Sequence, residues 1–131
     1  MNYNETKIRV RYGETDQMGV VYHGNYAQYC EVGRLEWLRA LNISYKKMEE
    51  DGVMLPVVSL SIKYKKPACY DDVINVRTQL VKLPTASIEF EYEITNEAGQ
   101  ILAIANTILA FINKSSNRPM RCPQFVLDKL N

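Results

Sequence analysis

In the first forty residues, apolar side chains recur at first every two residues and later every three or four residues. In KIRVRY, Lys7 to Tyr12, apolar side chains alternate with polar ones, which is the period of a half-buried strand. After a loop, apolar residues recur at helical spacing, at Tyr26, Cys30, Gly33, Trp37 and Leu41. This spacing predicts a helix of roughly four to five turns. Asn25 is its predicted N-cap.

Gly33 falls in the middle of this predicted helix, on its apolar side. A glycine in a helix interior costs about 1 kcal/mol relative to alanine. We therefore expect another backbone to approach the helix closely at this position. A β-sheet wrapped around the helix would provide that approach.

Strand signals dominate the rest of the chain. A short helix is predicted for Ser44 to Asp51, and Val58 to Tyr64 then alternates apolar with polar residues until Pro67 ends the run. Three longer strands are predicted for residues 72–83, 86–95 and 101–113. A hairpin turn at residues 96–100 joins the last two, and the final strand is apolar on both faces, as expected of an interior strand or a subunit contact. The order of elements predicts a single α+β domain over residues 1–131, an antiparallel sheet packed on one long central helix.

Composition excludes several classes of partner and cofactor. The chain has 16 basic and 15 acidic residues, so nothing in its charge indicates a nucleic acid partner. Its longest apolar run, ILAIANTILAFI, contains Asn106 and Thr107 and is too short to span a membrane. Three scattered cysteines and a single histidine favour neither a disulfide framework nor a histidine-rich metal site. We expect a cytoplasmic protein that uses no metal or redox cofactor.

The loop before the long helix carries the residues most suited to chemistry. It reads YGETDQMGVVYHGNY, from Tyr12 to Tyr26. Asp16 lies in a tight turn, where Gly19 can supply unusual backbone angles. His23 follows seven residues later, where the helix begins and where backbone N–H groups and the helix dipole favour an oxyanion. A carbonyl group held there, with a carboxylate facing its carbon atom, is an arrangement for acyl transfer to water.

Two stretches of the chain resemble a known enzyme family. The string RYGETDQMGVVYHGNYAQYCEVGR resembles the signature of the hotdog-fold thioesterases of the 4-hydroxybenzoyl-CoA thioesterase family, in particular the branch associated with Tol–Pal gene clusters. VVSLSIKYKKPACYDDVINV resembles the next block of that family. The resemblance implies a hotdog fold, in which the sheet wraps around the central helix. It also implies a homodimer or homotetramer that hydrolyses an acyl-CoA to a carboxylic acid and CoA.

The resemblance assigns roles to residues of the loop as well. The catalytic carboxylate of the family corresponds to Asp16, acting either as a nucleophile or as the base that activates water. The backbone donor to the thioester oxygen corresponds to His23, whose side chain is also expected to assist. Tyr22 and Asn25 would shape the loop, and Glu14 is expected to be structural or solvated.

Substrate contacts are expected from an aromatic residue and several basic ones. Tyr26 is a candidate for the acyl pocket, and the phosphates of CoA would lie near a subunit contact. The candidates for binding these phosphates are Lys63, Lys65, Lys66, Arg118 and Arg121. Two other functions stay open, namely a dehydratase or hydratase acting on acyl thioesters, and a non-catalytic domain that binds acyl carrier protein.

Overall fold

A computed structural model describes residues 2–130, so the two terminal residues of the predicted domain lie outside the described part. The helices are α1 (Tyr26–Ala40), α2 (Tyr45–Glu50) and α3 (Gln124–Leu127), with 3₁₀ turns at Tyr12–Glu14 and His23–Asn25. The strands are β1 (Tyr3–Arg9), β2 (Val53–Met54), β3 (Val57–Tyr64), β4 (Val73–Leu80), β5 (Ser87–Thr95), β6 (Ile101–Ala110), β7 (Ile112–Asn113) and β8 (Arg118–Pro119). The predicted α+β class is confirmed.

Five strands form one antiparallel sheet in the order β1-β4-β5-β6-β3. In β5, alternate residues from Ile88 to Ile94 are buried, while Glu89, Glu91 and Glu93 lie on the opposite face. The sheet therefore has one core face and one solvated face, as the alternation predicts. β6 is paired on both sides, which confirms the interior position that its two apolar faces indicate.

The long helix covers only part of the inner face of the sheet. α1 packs mainly on β1 and β4, with a smaller contact to β5. The inner face of the edge strand β3 is left uncovered, and Val57, Leu60 and Tyr64 are 44%, 46% and 49% exposed. A long edge strand with exposed apolar side chains is a surface suited to pairing with another chain. None of the helices within residues 2–130 is long and apolar enough to cross a membrane.

The first strand differs from its prediction at both ends. It begins at Tyr3 rather than Lys7 and ends at Arg9, and all its residues pair with β4. Its first half turns the polar residues Asn4 and Thr6 toward the helix side, so no alternation of apolar and polar residues marks it in the sequence. Tyr12, predicted as the end of the strand, instead begins a 3₁₀ turn.

Two further strand predictions need correction. Val58 was predicted to share a face with Leu60, but a register shift between Val57 and Ser59 leaves Val58 as an extra residue, 61% exposed. The predicted strand at 101–113 is two strands, because the chain leaves the main sheet after β6. Its continuation, β7, forms a small second sheet with β2 and β8 that the sequence pattern did not indicate.

Gly33 allows α1 to lie against β4. A Cβ atom at Gly33 would overlap with Oγ1 of Thr78 and lie 2.8 Å from Cγ1 of Val76. The predicted close approach is confirmed, but the neighbours are side chains of β4 rather than a backbone. Among residues 2–130, the buried Oγ1 of Thr78 has no hydrogen-bond partner.

Gly33→Ala should lower the free energy of unfolding by about 1–3 kcal/mol, because the packed, β-branched side chains of β4 cannot move aside freely. Urea denaturation of the variant measures the loss. The double variant Gly33→Ala/Thr78→Ala should recover much of it, since Thr78→Ala removes both the clashing atom and an unsatisfied hydroxyl. Unchanged stability of Gly33→Ala would contradict this account of the packing.

Candidate active site

The loop that carries Asp16 is a tight turn closed by its own backbone. The N–H of Asp16 donates to the carbonyl of Val20 at 2.8 Å, and the N–H of Gly19 donates to the carbonyl of Asp16 at 3.0 Å. Gly19 has a φ of 81°, which an L side chain rarely adopts. The Asp16 side chain accepts a hydrogen bond at Oδ1 from the N–H of Met18 at 2.8 Å. Within the described chain, no hydrogen bond uses its Oδ2 atom, so the exposed carboxylate has an oxygen to offer a substrate or a water.

The turn is fastened to the segment that follows β3. Val20 forms a bridge with Cys69, and the N–H of Val21 donates to the carbonyl of Ala68 at 2.8 Å. Thr15 bridges Val21 across the base of the turn. These contacts fix both arms of the turn beside the end of the sheet at which β3 stops.

The chain enters α1 through the 3₁₀ turn, without a side-chain cap. Tyr22 has extended backbone angles and His23 is the first residue of the turn. No hydrogen bond found among residues 2–130 uses the N–H of His23, as is usual for the first N–H groups of a helix. The positive end of the helix dipole adds to the attraction of this N–H group for an anionic oxygen.

Asn25 occupies the predicted N-cap position of α1, but its side chain makes no capping hydrogen bond. Its backbone is already helical, with φ −75° and ψ −14°, and its side chain accepts no hydrogen bond from the helix. Instead its Nδ2 donates to the carbonyl of Glu14 at 2.8 Å. Asn25 therefore ties the start of α1 to the loop that carries Asp16.

Tyr64 holds the same turn from the side of the sheet. Its hydroxyl donates to the carbonyl of His23 at 3.0 Å, and its ring centroid lies 6.3 Å from that of His23 and 5.1 Å from that of Tyr26. The hydroxyl oxygen of Tyr26 accepts a hydrogen bond from the N–H of Ala68 at 3.3 Å, and burial raises the pKa of this phenol. Tyr64 was not among the predicted site residues. Its only signal in the sequence is its inward position at the end of β3, next to Lys65.

These residues surround a cleft of about 300 Å³. It is lined by Asp16, Val20, Val21, His23, Tyr26, Tyr64, Lys65, Lys66 and Pro67. Five of the predicted site residues thus meet in one place, namely Asp16, His23, Tyr26, Lys65 and Lys66. The cleft combines a carboxylate, a helix start and two ammonium groups.

The structure does not bring the remaining candidates into this cleft. The exposed Tyr22 ring packs on the His23 imidazole, 4.4 Å between centroids, outside the lining of the cleft. Lys63 pairs with Ile104 and faces the solvated side of the sheet. Arg118 and Arg121 are exposed and come after β7 in the chain. β7 follows the end of β6 that is farther from the cleft. Within a single chain, Arg118 and Arg121 therefore lie apart from Lys65 and Lys66.

A second cavity, of about 340 Å³, lies farther along α1, at the Val57 end of β3. Its walls are largely apolar and come from α1, α2 and the inner face of the sheet. The lining residues are Glu31, Arg34, Leu35, Leu38, Tyr45, Leu55, Val57, Ile88, Phe90 and Leu109. Burial raises the pKa of the Tyr45 phenol in this wall.

Comparisons with known proteins agree with this fold over nearly the whole chain. A family model described as the thioesterase-like superfamily matches residues 10–130. YneP of Bacillus subtilis, described provisionally as an acyl-CoA thioesterase, is 38% identical over 121 residues, which cover 92% of this chain and 88% of that protein. The acyl-CoA thioesterase YbgC of Haemophilus influenzae is 32% identical over 120 residues, covering 91% and 88%. The structure of a DHNA-CoA thioesterase from Staphylococcus aureus superposes with a TM-score of 0.92 at 39% identity, covering 98% of this chain and 86% of that one.

An antiparallel sheet wrapped around one long helix, together with the similarity to thioesterases over nearly the whole chain, makes this a hotdog-fold thioester hydrolase. The chain belongs to the thioesterase-like superfamily. The predicted fold and enzyme class are therefore both confirmed.

Tyr64→Phe should lower kcat for thioester hydrolysis by about threefold to tenfold, because the turn that presents the N–H of His23 loses its tie to the sheet. Steady-state kinetics of the purified variant measure the effect. Tyr70→Phe is the matched control, since Tyr70 is an exposed tyrosine whose ring packs on Tyr12 and does not line the cleft. Equal kcat values for wild type and Tyr64→Phe would show that this tie has no catalytic importance.

Proposed function

We propose that the enzyme hydrolyses an acyl-CoA thioester to a carboxylic acid and CoA, with Asp16 as the catalytic carboxylate. The observation that carries this proposal is the shared cleft, in which the Asp16 carboxylate and the first turn of α1 face the same space. The choice of CoA ester is supported by the names of the relatives, two of which are described as acyl-CoA thioesterases and one as a DHNA-CoA thioesterase.

The backbone N–H of His23 would donate a hydrogen bond to the thioester carbonyl oxygen. Negative charge develops on this oxygen as the carbonyl carbon is attacked, and a fixed N–H group at a helix start stabilises that charge. The contact of Tyr64 with the carbonyl of His23 supports this role, because it immobilises the residue that carries the donor. His23 lines the same cleft, and its imidazole would assist from there.

Asp16 could act in either of two ways that lead to the same products. As a nucleophile, its oxygen attacks the thioester carbon, the C–S bond breaks, CoA leaves as the thiolate, and water then hydrolyses the mixed anhydride. As a general base, the carboxylate takes a proton from a water whose oxygen attacks the carbon directly, and the C–S bond then breaks with CoA leaving as the thiolate. The hydrogen bond from Met18 to Oδ1 supports both routes, since it orients the carboxylate and keeps Oδ2 available to the reactants.

Lys65 and Lys66 would receive the phosphates of CoA at the mouth of the cleft. Both side chains are exposed, so their ammonium groups can bind phosphates without breaking existing packing contacts. Lys63 would not contribute, because it faces the other side of the sheet. Tyr26, whose ring lines the inner wall of the cleft, would contact the acyl group nearest the thioester.

A second copy of the chain would pair with the exposed edge strand β3. Antiparallel pairing of two β3 strands would cover the apolar inner residues of both and place the Val57 end of one beside the Tyr64 end of the other. This pairing would also bring the end of the partner that carries Arg118 and Arg121 toward the cleft, where they could join Lys65 and Lys66 in binding CoA.

Asp16→Asn should lower kcat by at least about a thousandfold, roughly 4 kcal/mol in barrier, with little change in KM. Asparagine removes the charge but can still accept the hydrogen bond from Met18, so the loop should keep its shape. Release of free thiol from a panel of saturated and aromatic acyl-CoAs measures the rate, and hydration of an enoyl-CoA is assayed beside it.

Asp71→Asn is the matched control, because this exposed aspartate has a positive φ that asparagine also adopts and it does not line the cleft. Its kcat should equal that of wild type. If Asp16→Asn works within about tenfold of wild type, Asp16 is not the catalytic carboxylate. Faster hydration of an enoyl-CoA than thiol release by wild type would favour the hydratase function, and absence of both activities would favour an acyl carrier protein binding domain.

In solution the protein should be a dimer or a tetramer of its 15.1 kDa chain at micromolar concentration. Leu60→Glu should shift it toward the monomer, since the change puts a charge into the proposed contact between β3 strands. Leu83→Glu, at an exposed leucine outside β3, should leave the assembly unchanged. Light scattering gives the mass directly, and a monodisperse 15.1 kDa wild-type species would refute the proposed pairing.

A further inference from the structure

We propose that Glu14 is a positioning residue, which sets the geometry between the Asp16 carboxylate and the start of α1. The inference rests on the proposed function, because it takes Asp16 and His23 as the reacting pair. Glu14 itself does not line the cleft, so it would act through the residues it holds.

The Glu14 carboxylate links Arg11, two residues after the end of β1, to helix α1. Its Oε1 accepts hydrogen bonds from the N–H of Arg11 at 2.8 Å and from the hydroxyl of Tyr29 at 3.0 Å. The carboxylate side chain is 12% exposed, and Tyr29 lies in the buried core on the inner side of α1. Burial and the hydrogen bond to Glu14 raise the pKa of Tyr29, so its hydroxyl stays protonated and remains a donor.

The backbone carbonyl of Glu14 holds the other arm of the loop. It accepts from the N–H of Tyr22 at 2.9 Å and from Nδ2 of Asn25 at 2.8 Å. Tyr22 is the residue immediately before His23, and Asn25 closes the 3₁₀ turn. One residue therefore binds both arms of the loop and the first two turns of the helix.

This arrangement bears directly on the two groups that would react. Asp16 is two residues beyond Glu14, and His23 is one residue beyond Tyr22. The tip of the loop, residues 16–19, is exposed and belongs to no strand of the main sheet. Because a misplacement of about 1 Å between reacting groups can cost a hundredfold in rate, loosening the Glu14 contacts should slow the chemistry.

The charge of Glu14 is not what the positioning role requires. The Arg11 N–H and the Tyr29 hydroxyl donate to the same oxygen, Oε1, while within residues 2–130 Oε2 contacts only the guanidinium of Arg11, at 3.3 Å from its Nε. The Arg11 side chain is 79% exposed, so this ion pair is screened by solvent. Glutamine can supply the one essential acceptor oxygen, whereas alanine cannot.

The test compares Glu14→Gln with Glu14→Ala in the assembled enzyme, using the acyl-CoA that wild type hydrolyses best. We expect Glu14→Ala to lower kcat by about tenfold to a hundredfold with KM within about threefold, and Glu14→Gln to stay within about threefold of wild type. Glu97→Ala, at an exposed residue of the β5–β6 turn that does not line the cleft, is the control and should match wild type. Glu14→Ala should cause a smaller loss in the Asp16→Asn background than in wild type, because one of the two groups that Glu14 positions is then gone.

Three results would overturn the inference. They are a wild-type kcat for folded Glu14→Ala even with a lower Tm, equal losses in Glu14→Ala and Glu14→Gln, and a loss from Glu14→Ala that is as large in the Asp16→Asn background as in wild type. If Glu14→Ala does not fold, Tyr29→Phe removes one donor alone and should lower kcat about threefold to tenfold, and an unchanged kcat would overturn the inference. If Asp16→Asn is inactive and Glu14→Ala is fully active, only the proposed role of Glu14 is rejected. If Asp16→Asn is active, the proposed function itself is rejected.

Discussion

The uncapped start of α1 is the constraint around which the site is built. Most helices satisfy an early N–H group with a side chain of the capping residue, and here Asn25 is turned away to the loop instead. A helix start that is left open for a ligand needs support from outside the helix. Glu14 supplies that support from the loop side, and Tyr64 supplies it from the sheet side.

The same packing places the site at the boundary between the helix and the edge of the sheet. Gly33 lets α1 lie close to β4, so the helix is centred on the β1 side of the sheet and leaves the inner face of β3 open except at Tyr64. Tyr64 lies at the end of that uncovered strand and still touches the first turn of α1. Any contact that covers β3 would therefore also act on the turn that carries His23.

The sequence predicted features that repeat or that depend on local order. Alternate glutamates identified the solvated face of β5, and the spacing of Asp16 and His23 indicated that the loop and the helix start lie together, as they do in the lining of one cleft. Alternation does not reveal the bulge at Val58, because Val57 and Val58 are both apolar and either could occupy the inward position before Leu60. Nor can it show the link between Tyr64 and His23, which are distant in the chain and meet only when the sheet closes on the helix.

The central claim is that a thioester carbonyl binds at the start of α1 with its carbon atom facing residue 16. A crystal structure of the Asp16→Asn protein with the acyl-CoA that wild type hydrolyses best tests it most directly. The account predicts the thioester oxygen at about 3 Å from the N–H of His23, with residue 16 beside the carbonyl carbon. A thioester bound elsewhere, for example in the apolar cavity farther along α1, would contradict it.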